Sequence, residues 1–164
     1  MTETVLFWLF SILAVGGAAG VVLASNPVNG AMALVGSFFA LAGLYLLLSA
    51  QLLAALQILV YTGAIMVLFL FVIMLLNLSP QELGRDRLTP ARAAGALAAL
   101  GATGLLATTF LRLRFPPAAV SHQFGTVASV GLELFSDFTL PFEATSLLLL
   151  AAILGAVVVA KGKL

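Results

Sequence analysis

The chain has 164 residues, of which 63% are hydrophobic and only 8% charged, whereas a soluble domain carries about 25% charged residues. A chain this apolar cannot cover a water-facing surface, and its net charge of +1 gives no indication of a nucleic-acid partner. It contains no cysteine and a single histidine, His122, which argues against disulfides, iron–sulfur clusters and metal sites in this chain.

The first half of the chain is long enough for three membrane crossings. No charged side chain occurs from Thr4 to Gln81, a run of 78 residues, and a bilayer core takes about 20 helical residues per crossing. Residues 25–27 (SNP) can end one helix and cap the next. The N-terminus lacks the basic region of a secretory signal peptide, so the first helix is expected to stay in the mature protein. Helices are expected at about residues 4–24, 28–49 and 53–77.

The second half alternates polar loops with two further helices. Charged residues at 82–92 indicate a solvated loop, and the 19 uncharged residues that follow predict a fourth helix at about 92–112. Residues 127–138 indicate a short amphipathic piece that lies along the interface or on a neighbouring subunit. A last helix is expected at about 141–160. Residues 1–164 are thus predicted to form one all-α, polytopic transmembrane domain with about five transmembrane helices.

The distribution of lysine and arginine predicts the orientation, because cytoplasmic loops carry the excess of positive charge. With the N-terminus outside and the C-terminus cytoplasmic, five basic residues lie inside and two outside; the opposite topology reverses these numbers. The inside set is Arg85, Arg87, Arg92, Lys161 and Lys163, and the outside set is Arg112 and Arg114. We therefore expect a multi-pass protein of the cell inner (plasma) membrane in this orientation.

The chain lacks the side chains that an autonomous pump or enzyme needs. Transporters mark their paths with ionisable residues inside the membrane, yet all six carboxylates fall in expected loops or at helix ends. There is no nucleotide-binding glycine loop, catalytic triad or pair of haem-ligating histidines. No catalytic, cofactor-binding or metal-binding residue is predicted, and the chain is expected to contribute to a site shared with partner subunits.

The polar exceptions lie in the third helix. Gln57 and Tyr61 are four residues apart and share one helix face, and Gly63 follows within an apolar run. One interpretation is that Gln57 and Tyr61 only hydrogen-bond to a neighbouring helix, a contact worth about 0.6–2 kcal/mol. The other is a water-lined polar patch beside a backbone irregularity at Gly63, since glycine and π-bulges often mark functional hinges.

Two further features have mainly structural interpretations. Small residues four apart, such as Gly16 and Gly20 in the first helix, let helices approach closely. Glu143 lies two residues after Pro141, where a carboxylate in the first helical turn complements the helix dipole. A contact of Glu143 with a partner subunit or a proton path is the alternative.

Three segments of the chain carry a resemblance to a known family. They are residues 26–31 (NPVNGA), 54–69 (AALQILVYTGAIMVLF) and 140–149 (LPFEATSLLL). The second closely resembles the third helix of the J-type membrane subunit of bacterial NADH–quinone oxidoreductase (respiratory complex I). The other two are similar to the starts of that family's second and fifth helices. The similarity covers most of residues 25–78 and 130–160.

The resemblance implies a place in the membrane arm of complex I, against the A-, K-, H- and N-type subunits and the lipid bilayer. FMN, iron–sulfur clusters and quinone are expected in partner subunits and not in this chain. In the family, helix 3 can hold a π-bulge, and its rotation is thought to make or break a water path to the proton pumps. On that basis Tyr61 is expected to be a wall or gate of the path, and Gly63 to permit the bulge.

Gln57 departs from the family pattern, because many bacterial members carry a glutamate at this position. Glutamine cannot take up or release a proton near neutral pH, although it can order water by hydrogen bonding. The titrating carboxylates of the path are therefore expected in neighbouring subunits.

Three functional hypotheses follow. The first is a non-catalytic but mechanically active subunit of a proton-translocating NADH–quinone oxidoreductase. The second is a related small subunit of a multisubunit cation/proton antiporter or a membrane-bound hydrogenase. The third is a packing scaffold with no moving part, which predicts that Tyr61 and Gly63 tolerate substitution.

Overall fold

The computed structural model describes residues 1–76, 90–113 and 124–161, and the secondary structure of this part is helical. Five helices are long and apolar enough to cross a membrane, which confirms the predicted all-α, polytopic class. Each lies within two residues of its expected bounds. Most of the expected loop at 82–92, and His122, lie outside the described residues. The helices are α1 (Thr2–Leu23), α2 (Pro27–Leu47), α3 (Gln51–Leu76), α4 (Pro90–Arg112), the short α5 (Val127–Phe135) and α6 (Thr139–Ala160). That residues 1–164 form one domain stays a prediction.

The break between α1 and α2 is the one that the sequence predicts. Asn26 has extended backbone, and its side-chain Oδ1 accepts a hydrogen bond from the Val28 N–H at 2.9 Å. Pro27 occupies the first helical position, where the missing N–H would have had no helical partner. An asparagine cap followed by proline therefore ends one crossing and starts the next within three residues.

Small residues bring α1 and α2 together. Of the expected pair Gly16 and Gly20, only Gly20 lies in the contact, and the prediction for Gly16 is wrong. A Cβ on Gly17 would lie 2.9 Å from the Cβ of Ser37, and Gly20 also faces α2, whereas Gly16 points into open space. The buried Ser37 hydroxyl donates a 2.9 Å hydrogen bond to the Ala14 carbonyl across the same interface. Gly17 and Gly20, three residues apart, share the contact face because both i+3 and i+4 spacings do so on an α-helix.

α3 packs on α2 through an apolar cluster. Its buried members are Ala31, Met66 and Ile73, and the half-buried side chains around them are Leu34, Val35, Phe38 and Leu70. This cluster determines which side of the second half of α3 faces α2.

A close backbone contact fastens the segment before α5 to the turn between α2 and α3. Gly125 has φ +70°, and a Cβ there would collide with the Ser49 carbonyl and lie 2.8 Å from the Ala50 Cα. The Leu52 N–H donates a 3.0 Å hydrogen bond to the Gly125 carbonyl. Ser49 is itself left-handed, with φ 60°, a conformation that disfavours non-glycine residues by about 1–2 kcal/mol.

α5 and α6 follow each other through a short turn and pack together at that turn. The rings of Phe135 and Phe142 pack edge to face with centroids 5.0 Å apart. The amphipathic piece expected at 127–138 is helical but ends at Phe135. The chain turns there because the Phe138 N–H bonds back to the Glu133 carbonyl at 3.0 Å.

The remaining helix faces are unpaired within the described residues. α4 contacts none of the other described helices, and α6 contacts only α5. Both present exposed leucine, valine or phenylalanine side chains around their circumference. Such surfaces are stable only against lipid or the apolar faces of other subunits.

Candidate functional site in the third span

The middle of α3 is wound as a π-helix. This segment is Gln57–Ile65, between α-helical turns at Gln51–Leu56 and Met66–Leu76. In a π-helix each carbonyl accepts from the N–H five residues on, where an α-helix uses the fourth. At the C-terminal end of the segment, the Met66 N–H is shared between the Gly63 carbonyl, three residues back, and the Tyr61 carbonyl, five residues back. The segment has nine residues, whereas π-helices occur mostly as single-turn bulges, frequently at functional sites.

The π-helical segment shifts the buried face of α3 by one residue. Buried positions on an α-helix recur every three or four residues, as they do from Ala54 to Gln57. The next buried position is Thr62, five residues further on, and the stripe then continues to Met66. One α-helical residue turns about 100°. Restoring the α-helical register would therefore rotate the second half of α3 by roughly that angle against α2.

Two polar side chains are buried where the register changes. Gln57 is 6% and Thr62 8% exposed, on a segment whose packing partner outside α3 is α2. The Thr62 Oγ1 donates a 3.0 Å hydrogen bond to the Gln57 backbone carbonyl. The side-chain amide of Gln57 makes no hydrogen bond to another described residue. Its two donors and its acceptor thus remain available to water or to a partner side chain.

Tyr61 lies at the rim of the same contact. Its ring packs edge to face on Phe38 of α2, with centroids 5.9 Å apart, while 49% of the residue is exposed. A rotation of about 100° would carry Tyr61 and Ile65 onto the α2 face. It would move Met66, now 2% exposed, away from that face.

Gly63 faces the carbonyl of its own helix. A Cβ at this position would lie 3.3 Å from the Ile58 carbonyl oxygen. Ile58 is five residues back, the same sequence separation that backbone hydrogen bonds have in a π-helix. A larger side chain would crowd the π turn itself. That Gly63 permits the irregularity stays a prediction.

Glu143 does not join this site. It lies on α6, which contacts only α5 among the described helices. Its expected place in the first helical turn is wrong, because α6 begins at Thr139 and its first turn carries no acidic residue. Pro141 is tolerated inside the first turn, where its missing N–H has no helical acceptor, so the helix starts before the proline. Glu143 consequently sits two residues further from the positive end of the helix dipole.

Sequence reasoning gave no role to Thr62 or Phe38. Thr62 is polar and next to Tyr61, but the sequence does not indicate that its hydroxyl bonds to the carbonyl five residues back. Phe38 is one of many aromatic residues in the apolar helices, so nothing singles it out. In the described part of the chain no group of three His, Cys, Asp or Glu side chains could hold a metal ion.

These features define a class: a polytopic, all-α membrane protein in which buried polar side chains lie in a π-helical segment of one membrane-spanning helix. Residues 17–159 match the family of NADH-ubiquinone/plastoquinone oxidoreductase chain 6, and the chain belongs to this family. The predicted family, a membrane subunit of a complex I-type oxidoreductase, is thereby confirmed.

Curated relatives extend over most of the chain. Chain 6 of NAD(P)H-quinone oxidoreductase from Leptolyngbya boryana is 40% identical over 161 residues, covering 97% of this chain and 80% of the relative. The Synechocystis sp. protein of the same name is 38% identical over 160 residues, covering 94% and 79%. F(420)H(2) dehydrogenase subunit J from Methanosarcina mazei is 37% identical over 169 residues, covering 98% and 92%.

Proposed function

We propose that this chain couples quinone reduction to proton translocation in a proton-pumping NADH–quinone oxidoreductase, through a register change in α3. The observation that carries the proposal is the five-residue step between the buried positions Gln57 and Thr62. A regular α-helix places such positions about 140° apart. A return to the α-helical register would therefore present a second face of this half of α3 to α2.

The register change would move polar groups in and out of the helix contact. In the π-helical register, Gln57 and Thr62 are buried against α2 and Tyr61 lies at the rim. In the α-helical register, Tyr61 takes the inner position. Intramembrane polar groups favour ordered water over lipid, so exchanging Thr62 for Tyr61 would make or break a chain of water molecules. Gln57 orders water there without titrating.

Partner subunits complete this path and hold the redox groups. The exposed apolar faces of α4 and α6 support contacts with membrane-arm neighbours, which we assign to the A-, K-, H- and N-type subunits. The proton-carrying carboxylates, FMN, iron–sulfur clusters and the quinone site are placed in those partners. The relatives' names give both NAD(P)H and F(420)H(2) as electron donors. The donor would thus be selected by other subunits of the complex.

We also propose that the protein lies in the cell inner (plasma) membrane with its N-terminus outside and its C-terminus in the cytoplasm. Five of its seven lysines and arginines are then cytoplasmic, as the positive-inside rule requires. Single cysteines at Thr2 and Lys161, each introduced alone and labelled with a membrane-impermeant maleimide in intact cells, distinguish the two orientations. Labelling at Thr2 alone is expected.

The coupling proposal is tested with Gly63→Val in the assembled complex. The valine side chain would crowd the Ile58 carbonyl and disfavour the π-helical register. We expect coupled quinone reduction to fall about fivefold, equivalent to roughly 1 kcal/mol. The matched control is Gly101→Val on α4, where an added Cβ meets no atom of the described residues within 4 Å, compared at equal yield of assembled complex.

Purification through a tag on this chain comes first. Co-purifying flavin and iron–sulfur subunits with quinone reductase activity support the complex I assignment, whereas recovery of antiporter-like subunits alone contradicts it. If the Gly63→Val complex assembles and keeps normal turnover and proton pumping, the coupling role is contradicted and the packing-scaffold hypothesis is supported.

A further inference from the structure

The Thr62 hydroxyl makes a hydrogen bond that differs from those of the other helical hydroxyls in the described residues. It donates to the Gln57 carbonyl five residues back. Elsewhere the acceptor within the helix is three or four residues back, as it is for Thr103 on Ala99 and Thr108 on Leu105. Thr109, Ser136, Thr145 and Ser146 follow the same rule.

This difference identifies the register. In an α-helix, serine and threonine hydroxyls reach the carbonyls at i−3 and i−4. The carbonyl at i−5 comes within reach where the backbone itself pairs i with i+5, as it does from Gln57 to Ile65. The bond between Thr62 and Gln57 therefore belongs to the π-helical state. It is also buried, where water competes weakly for the hydroxyl.

We infer that Thr62 is a positioning residue that biases α3 toward its π-helical register through this hydrogen bond. In the α-helical register the hydroxyl would turn to the Ile58 or Leu59 carbonyl, at a position rotated out of the buried contact with α2. The bias is the difference between the buried and the exposed hydrogen bond. Thr62 thus biases the register without fixing it, by up to about fivefold in the ratio of the two registers, the upper bound being the weight of one net hydrogen bond. The consequence for pumping rests on the proposed function; the register bias itself does not.

Two introduced cysteine pairs report the register in the assembled complex. The chain has no native cysteine, so each pair is unique in this subunit. Ala31 and Met66 belong to one buried cluster, and cysteines at these positions are expected to cross-link in the π-helical register. Cysteines at Ala31 and Ile65 are expected to cross-link in the α-helical register, because Ile65 then takes the place of Met66. Copper phenanthroline drives the oxidation, and protection from a maleimide–polyethylene glycol tag measures it.

Three variants separate the hydroxyl from the shape of the side chain. Thr62→Val keeps the β-branch and removes the hydroxyl, Thr62→Ala removes both, and Thr62→Ser keeps the hydroxyl. We expect the valine and alanine variants each to shift the cross-linking ratio about fivefold toward the 31–65 pair, and the serine variant to keep the native ratio. Because valine and alanine both lack the hydroxyl, an assembly defect in one still leaves the other as the test.

An unchanged ratio in the hydroxyl-free variants overturns the inference, and so does a serine variant that shifts as far as valine does. Proton pumping per quinone reduced is measured on the same membranes. A shifted ratio with unchanged pumping supports the role of Thr62 in the register and contradicts the coupling function. A native ratio with impaired pumping overturns the role of Thr62 and leaves the coupling function in place.

Discussion

The backbone N–H of Leu52 donates a 3.0 Å hydrogen bond to the carbonyl of Gly125, which joins the first turn of α3 to the segment that leads into α5. The first N–H groups of a helix have no partner within it, so this carbonyl caps α3. The start of the span is thereby held in place. The half beyond the π-helical segment packs only on α2 among the described helices, and a change of register would act there.

Gly125→Ala tests whether this cap stabilises the assembled subunit. The new Cβ would collide with the Ser49 carbonyl, and φ +70° is unfavourable for alanine. We expect a loss of about 1–3 kcal/mol, measured as a lower thermal midpoint of the complex in nanodiscs. Gly131→Ala in α5 is the control, because open space surrounds that position and alanine favours the helix. Equal stability of the two variants would contradict a role for the cap.

Gly17→Ala and Gly16→Ala are neighbouring substitutions with opposite expected outcomes. A Cβ on Gly17 meets the Ser37 backbone N at 3.0 Å and its Cβ at 2.9 Å, whereas a Cβ on Gly16 meets nothing within 4 Å. Overpacking of this kind costs about 1–3 kcal/mol, so Gly17→Ala should lower the yield of assembled complex and Gly16→Ala should not. Quantitative immunoblotting of native gels measures the yield. The reverse order would mean that α1 meets α2 through a different face.

Tyr61→Phe separates the hydroxyl of Tyr61 from its ring. The ring contact with Phe38 is retained, so thermal stability should not change. If the hydroxyl lines the water path, proton pumping should fall by about fivefold, the effect of roughly 1 kcal/mol. Tyr61→Leu additionally removes the aromatic contact, worth about 0.5–1.5 kcal/mol, and should destabilise the complex as well. Full pumping by the phenylalanine variant would limit Tyr61 to packing.

The sequence predicts the crossings well because their boundaries depend on local chemistry. Asn26 and Pro27 carry their own capping signal, and uninterrupted apolar runs set the helix lengths. The sequence does not predict which faces of the helices are in contact. α1 and α3 are apolar around nearly their whole circumference, so no stripe distinguishes Gly16 from Gly17 or Ile65 from Met66.

The candidate site was predictable in its residues but not in its geometry. Gln57, Tyr61 and Gly63 stand out as polar or small residues in an apolar run. Their roles in gating stay predictions. The register depends on which carbonyl each backbone N–H bonds, and the α- and π-helical choices differ by one residue, which the apolar pattern of this span does not distinguish. The hydrogen bond from Thr62 to the Gln57 carbonyl shows which choice the structure adopts.

The length of α3 links its register to the thickness of the bilayer. Wound entirely as an α-helix, its 26 residues would span about 39 Å, whereas the hydrocarbon core is about 30 Å thick. Such an excess is accommodated by tilt or by stretching of the surrounding lipid, at a fraction of a kcal/mol per Å. A π-helical turn holds more residues and is therefore shorter along the axis for the same stretch of chain. Under the proposed change of register, a thin bilayer would favour the π-helical state and a thick one the α-helical state, and acyl-chain length would then be a thermodynamic variable of α3.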